Sequence, residues 1–158
     1  MAGKALLGIS PGTRVIGLAV IYKGELVEWK VKTFKQIWSK DKRKAILRTI
    51  DRICEYNGIQ VIALKKTDPF RSSPQLTILV AAIIRQAERH GIQVKQYSLS
   101  ELDYDLRTGK KQSKNDLSGK VVEKHPEFKK QYLQERNNRA DYYTKMFEAI
   151  AMAEQCRE

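Results

Sequence analysis

The period of the apolar residues changes along this chain, and the order of that change leaves few architectures open. Between Ala5 and Phe34 three strand-like segments follow one another. Ala5 to Ile9 is a short apolar run, and Val15 to Tyr22 is a second, rich in β-branched residues. Glu25 to Phe34 comes after the turn Lys23-Gly24 and alternates, with Leu26, Glu28, Lys30 and Lys32 on one face and Val27, Trp29, Val31 and Thr33 on the other. Connections this short predict a three-stranded antiparallel meander, in which Ser10-Pro11-Gly12-Thr13 suits a type II turn.

After Phe34 the period becomes helical and then alternates with strands. Lys42 to Tyr56 places Ile46, Ile50, Ile53 and Cys54 on one helical face and stops at Asn57-Gly58. Ile59 to Leu64 reads as a strand. Ser73-Pro74 opens a helix whose apolar stripe is Leu76, Leu79, Val80, Ile83, Ile84 and Ala87, ending at His90-Gly91. Ile92 to Tyr97 is the next strand. A basic, broken segment from Arg107 to Asn138, with a helix around Lys114 to Lys124, leads to a last helix from about Asp141 to Ala153. The order β-β-β-α-β-α-β-α predicts an α/β fold with a five-stranded mixed sheet, three antiparallel strands first, flanked by helices. With no repeat or linker in 158 residues, residues 1–158 read as a single domain.

Charge narrows the partner. The formal net charge is +12, and it is concentrated. Residues 23–48 hold nine Lys/Arg against three acids, and residues 107–139 hold ten against four. Two such blocks suit a polyphosphate partner; the plainer reading is a solvated surface. No apolar run reaches the roughly 20 residues of a membrane span, and the N-terminal residues are too short a stretch for a signal peptide. Cys54 and Cys156 lack metal or redox spacing, which predicts a reduced, cytoplasmic protein.

Gly8-Ile9-Ser10-Pro11-Gly12-Thr13-Arg14-Val15-Ile16-Gly17 resembles the opening of the RuvC-type Holliday-junction resolvases, in the RNase H-like superfamily. Their pattern is Gly-Ile-Asp-Pro-Gly-Ser/Thr-Arg, then a hydrophobic residue, then Gly. Val61-Ile62-Ala63-Leu64-Lys65 is similar to the family's fourth strand, which ends Ala-Ile-Glu. Lys145-Met146-Phe147-Glu148-Ala149-Ile150-Ala151-Met152-Ala153 is similar to its final helix, Asp-Ala-Ala-Asp-Ala-Leu-Ala-Ile-Ala. The stretch around Ser113-Lys114 falls where the family has a basic loop and helix. The resemblance implies an RNase H-like fold, a nucleic-acid partner (DNA before RNA) and, by analogy, a homodimer, for which the apolar face of residues 76–87 is a candidate.

The same resemblance implies an altered site. The family's nucleases hold divalent metal with four carboxylates, because Mg²⁺ takes hard oxygen ligands and two ions about 4 Å apart must activate water and stabilise the leaving oxygen. Carried over residue by residue, those positions are Ser10, Lys65, Lys145 and Glu148. The charge passes from about −4 to about +1, and protonated ammonium groups repel divalent cations instead of ligating them. The expectation is a site without metal or cofactor and without catalytic residues. Mg²⁺ or Mn²⁺ enters only in an alternative, a residual nuclease using Glu148 with Asp68 or Asp141. Asp141 and Glu148 stand about 10.5 Å apart along a helix, too far to share a close metal pair. A simpler account is an ion pair of Lys145 with Glu148 or with Asp141.

Lys65 and Lys145 then have two readings. Either they hold a phosphodiester where metal once met phosphate, or they fill and neutralise an abandoned site. The candidate phosphate contacts are Arg14, Lys65, Lys110, Lys111, Lys114, Lys120 and Lys145. Trp29 and Trp38 have a base-stacking reading and a packing reading, of which packing is the plainer. A third function class is a protein-interaction scaffold whose basic blocks meet an acidic partner.

Overall fold

The computed structural model describes residues 4–68, 70, 72–98, 104–105, 110–111, 121–138 and 143–156. Strands β1 (Ala5–Ser10), β2 (Val15–Tyr22) and β3 (Glu25–Thr33) form the antiparallel meander; helix α1 (Lys40–Asn57), strand β4 (Val61–Lys65), helix α2 (Pro74–Arg89) and strand β5 (Gln93–Tyr97) follow. The sheet order is β3-β2-β1-β4-β5, with β4 parallel to β1 and β5 parallel to β4. This is the five-stranded mixed sheet that the order of apolar periods predicts. No helix among the described residues is long and apolar enough to cross a membrane.

The turns follow from backbone chemistry. Lys23 and Gly24 have φ of 52° and 81° between the paired residues Tyr22 and Glu25, the two-residue turn with both central φ positive that matches strand twist. The first turn differs from expectation. Gly12 does not have positive φ, so the connection is not type II. Its small size is needed instead, since a Cβ there would lie 2.3 Å from the Val15 carbonyl oxygen. Ser39 caps α1 by accepting from the Lys42 amide, and Gly58, φ 62°, closes it. Ser73 caps α2 in the same way, with Pro74 in its first turn.

Strand alternation divides the sheet into two chemically different faces. Leu7, Ile9, Ile16, Leu18, Ile62 and Leu64 point to the side covered by α1 and α2 and pack with Ile46, Ile50, Leu79 and Ile83. The stripe of residues 76–87 is thus an inner face: Leu79, Val80, Ile83 and Ala87 are buried in this core and are not a dimer surface. The opposite side takes the last helix, here α4 (Thr144–Cys156), which covers Leu6, Ala19, Ile21, Val61 and Ala63. In β3 the expected faces do not hold. The register shifts between Val20 and Ile21 and leaves Val27 unpaired, so Leu26 joins Val31 over α4.

The basic segment holds more structure than its sequence predicts. Tyr104–Asp105 (β6) pairs antiparallel with Lys110–Lys111 (β7), residues 121–124 are helical, Pro126–Phe128 forms a 3₁₀ turn, and Lys129–Asn138 (α3) is a helix. The expected helix at Lys114 to Lys124 lies mostly outside the described residues, as do the first residues of the last helix, which continues to Cys156. Phe128 seats the segment on the molecule, 5.0 Å from Trp29 and 6.3 Å from Phe147 in edge-on contacts. Trp29 therefore packs, at 40% exposure, and Trp38 leans on the core. His125 and Lys124 both reach Glu154, at 2.7 and 3.2 Å.

Burial and the neighbouring Asp51 and Glu55 push the Cys54 thiol up from 9.0 to about 12. The folded state therefore holds this proton more tightly than the unfolded chain. The associated stability is complete below pH 9 and is lost as pH rises toward 12. Cys156 is buried too. A thiol reagent at about pH 8, below the ordinary thiol pKa, should modify neither cysteine quickly in native protein and both after denaturation. Rapid native modification of Cys54 would contradict this environment.

Candidate functional site

Parity along two strands builds the site. Residues of β1 facing α4 are Leu6, Gly8 and Ser10; those of β4 are Val61, Ala63 and Lys65. Ser10 and Lys65 are the last residues of adjacent strands, so both emerge at one end of the sheet under α4. The helix presents Lys145 and Glu148 there, one turn apart.

What lets them meet is how low the helix lies. A Cβ on Gly8 would stand 2.0 Å from the Ala149 carbonyl oxygen, and one on Gly17 would stand 1.9 Å from that of Lys145. Gly17 pairs with Ser10 and Gly8 with Ala19, so a bed of very small residues brings the α4 backbone onto the sheet. Reading the opening motif for its charged positions misses this packing role. The signal was present, as Gly8 and Gly17 on adjacent strands, on the one sheet face that meets an Ala-rich helix.

The contacts are short and specific. Ser10 Oγ donates to Glu148 Oε1 at 2.6 Å. Lys65 Nζ donates to both carboxylate oxygens, at 3.1 and 3.2 Å. Ser10 is 0% and Glu148 1% exposed, and the Lys65 side chain is 13% exposed. Lys145 Nζ donates to the Pro11 carbonyl oxygen at 3.1 Å. The ion pair formed by Glu148 thus runs across the fold to Lys65; the expected pairing of Lys145 with Asp141 lies outside the described residues. One buried carboxylate is neutralised by one ammonium and one hydroxyl, and a second ammonium ties the helix to the first turn.

The donor set does not fit a divalent ion. Glu148 supplies the carboxylate, Ser10 directs its hydrogen toward that carboxylate, and an ammonium occupies the space beside both oxygens. Asp68 is exposed, and its Oδ1 accepts from the Phe70 amide in a local turn. Among the described residues no group of three or more His, Cys, Asp or Glu is placed to hold a metal.

The other candidate residues are spread. Arg14 is exposed, and its backbone oxygen accepts from the Phe34 amide. Lys110 and Lys111 lie in β7, while Lys114, Lys120 and Asp141 fall outside the described residues. The structure brings together Ser10, Lys65, Lys145 and Glu148; it gives no common surface for the rest.

No protein-family model matches the sequence, and none of the curated proteins does. Solved structures do match in fold. Thermus thermophilus RuvC superposes with a TM-score of 0.69 at 15% identity, covering 94% of this chain and 90% of that one. The same protein in complex with a Holliday junction substrate gives 0.69 and 15%, over 95% and 90%. The Fowlpox virus resolvase in complex with its substrate Holliday junction DNA gives 0.63 at 14%, over 97% and 96%. The chain has the RNase H-like fold of the RuvC-type resolvases.

Proposed function

We propose that this chain binds branched or single-stranded nucleic acid, DNA before RNA, through Arg14 and the basic segment that holds Lys110, Lys111, Lys114 and Lys120, and does not cut it. The observation that carries the reading is the Glu148 carboxylate, held on both oxygens by Lys65 and on one by Ser10 at the position where a two-metal nuclease needs free carboxylates. A likeness to proteins solved on Holliday junctions supports the partner, and the charge of +12 supports attraction to phosphate. Lys65 and Lys145 act within the fold, neutralising Glu148 and fastening α4, so the phosphate contacts fall to Lys110, Lys111, Lys114, Lys120 and Arg14. No cofactor is required. A homodimer, read by sedimentation, would use a surface other than the inner stripe of α2. Its place is the cytoplasm, where both thiols persist reduced.

The test is a gel-shift series on a synthetic four-way junction across a range of salt, with Mg²⁺ or Mn²⁺ added to parallel samples. Four to six phosphate contacts give a slope of log K on log salt near −4 to −5, at about −0.9 per phosphate. Lys110→Ala, Lys111→Ala and Lys114→Ala together should make the slope shallower by about two to three with little loss of stability. The junction should remain uncut. Absence of binding to DNA or RNA at about 50 mM salt, where phosphate contacts are strong, would remove the nucleic-acid reading. Metal-dependent cleavage abolished by a folded Glu148→Gln variant would restore the residual nuclease.

A further inference from the structure

On the sheet face opposite Glu148, helices α1 and α2 enclose a groove of about 630 Å³. Arg43, Lys44 and Arg48 line it from α1, and Arg85 and Arg89 from α2. Lys44 and Arg48 are one turn apart, as are Arg85 and Arg89, so each helix carries a row of cations into the groove. Among the described residues none of the five has a carboxylate within ion-pair distance. The one acid lining the groove is Asp51, whose Oδ1 lies 3.4 Å from His90 Nε2. Between the rows the surface is aliphatic: Leu47, Ile78, Ala81 and Ala82, with Ile78 45% exposed. Gln86 Nε2 donates to the Leu47 carbonyl oxygen at 3.0 Å and holds the two helices together beneath it.

Apolar floor and cationic rim together select the occupant. A phosphate backbone would satisfy the cations but leave Ile78 uncovered, and the lining contains no aromatic ring on which a base could stack. A second copy of the chain would set cations against cations, because a two-fold interface places each patch against itself. An acidic amphipathic segment satisfies both features: its apolar side chains cover the floor while its carboxylates meet the two rows. Arg43 to Asp51 spans about 12 Å and Ile78 to Arg89 about 16 Å, which corresponds to two to three turns of a docked helix. We infer that the α1–α2 groove is a docking site for an acidic amphipathic helix of a partner protein. This inference does not depend on nucleic-acid binding, since none of the five groove cations is among the phosphate contacts proposed above.

The test uses fluorescence anisotropy with the full chain and a labelled peptide about three helical turns long, with Glu on one face and Leu on the other. Three comparisons decide it: Arg48→Glu with Arg85→Glu, Ile78→Ser, and a control peptide in which Ser replaces Leu. All substituted protein positions are exposed, and circular dichroism checks that the variants stay folded. The double reversal should weaken peptide binding at least tenfold. Ile78→Ser and the Ser peptide should each weaken it several-fold, and Ile78→Ser, which alters no charge, should leave four-way-junction affinity within threefold. Equal binding of the Leu and Ser peptides would overturn the inference, as would peptide binding indifferent to the groove variants. A junction affinity that falls as much as peptide affinity would make the groove a phosphate seat instead. Loss of a dimer on Ile78→Ser would make it a self-interface.

Discussion

Removing the Glu148 side chain should cost the protein about 3 to 5 kcal/mol in urea denaturation, the range for leaving a buried charge without its partner. Glu148→Ala strands the Lys65 ammonium, on a side chain only 13% exposed, and leaves the fully buried Ser10 hydroxyl without its acceptor. Lys65→Met should cost a similar amount, because it leaves the carboxylate in place with the Ser10 hydroxyl alone. The informative variant is the double, Lys65→Met with Glu148→Met. Replacing both charges by apolar groups of similar length removes the desolvation penalty together with the attraction, so the double should be far more stable than the sum of the singles. Glu148→Gln should be the mildest single change, since its amide oxygen still accepts from Ser10. Additive losses in the double would mean that Lys65 and Glu148 are not energetically coupled, and the site would lose its account as a self-neutralised unit.

The second large effect belongs to residues with no side chain. Gly17→Ala would place a methyl group 1.9 Å from the Lys145 carbonyl oxygen, and Gly8→Ala one 2.0 Å from that of Ala149. The obstacle is backbone in both cases, so relief requires the whole of α4 to lift. Lifting it separates Glu148 from Ser10 and opens the packing of Phe147 and Ile150. Each substitution should cost about 3 kcal/mol or more. Gly91→Ala is the control. Its Cβ would meet nothing within 4 Å, and only its positive φ of 71° is at issue, for about 1 to 2 kcal/mol. If Gly17→Ala were no worse than Gly91→Ala, α4 would not be held against the sheet as described.

The fold was legible wherever period and punctuation agreed. The apolar runs of β1, β2 and β4 marked buried strands, the glycines at 58 and 91 ended the helices, and Ser73-Pro74 began one. The resemblance of three segments to the resolvase pattern aligned Ser10, Lys65 and Glu148, and strand parity put Ser10 and Lys65 on the α4 side. Other features were hidden for physical reasons. The register shift at Val27 depends on a pairing partner, and no local residue announces it. Helix α3, Lys-Lys-Gln-Tyr-Leu-Gln-Glu-Arg-Asn-Asn, has no apolar stripe, so its sequence reads as a broken basic segment. Helical spacing offers Lys145 as a partner of Glu148 or of Asp141, whereas it is the sheet that delivers Lys65 to both Glu148 oxygens. Lys44 and Arg48, like Arg85 and Arg89, stand four residues apart in the sequence, but only packing shows that the two pairs face one groove.

The proposed function requires Glu148 to be a structural carboxylate closed to metal by Lys65 and Ser10. Crystals soaked in about 10 mM Mn²⁺, a concentration well above that at which typical carboxylate sites fill, test it directly through anomalous scattering. The expected result is no anomalous peak beside Glu148, with Lys65 Nζ still in contact with both carboxylate oxygens. A peak at ligand distance from Glu148, about 2.1 Å for an octahedral divalent ion, with the Lys65 side chain displaced, would contradict the claim and return the site to metal chemistry.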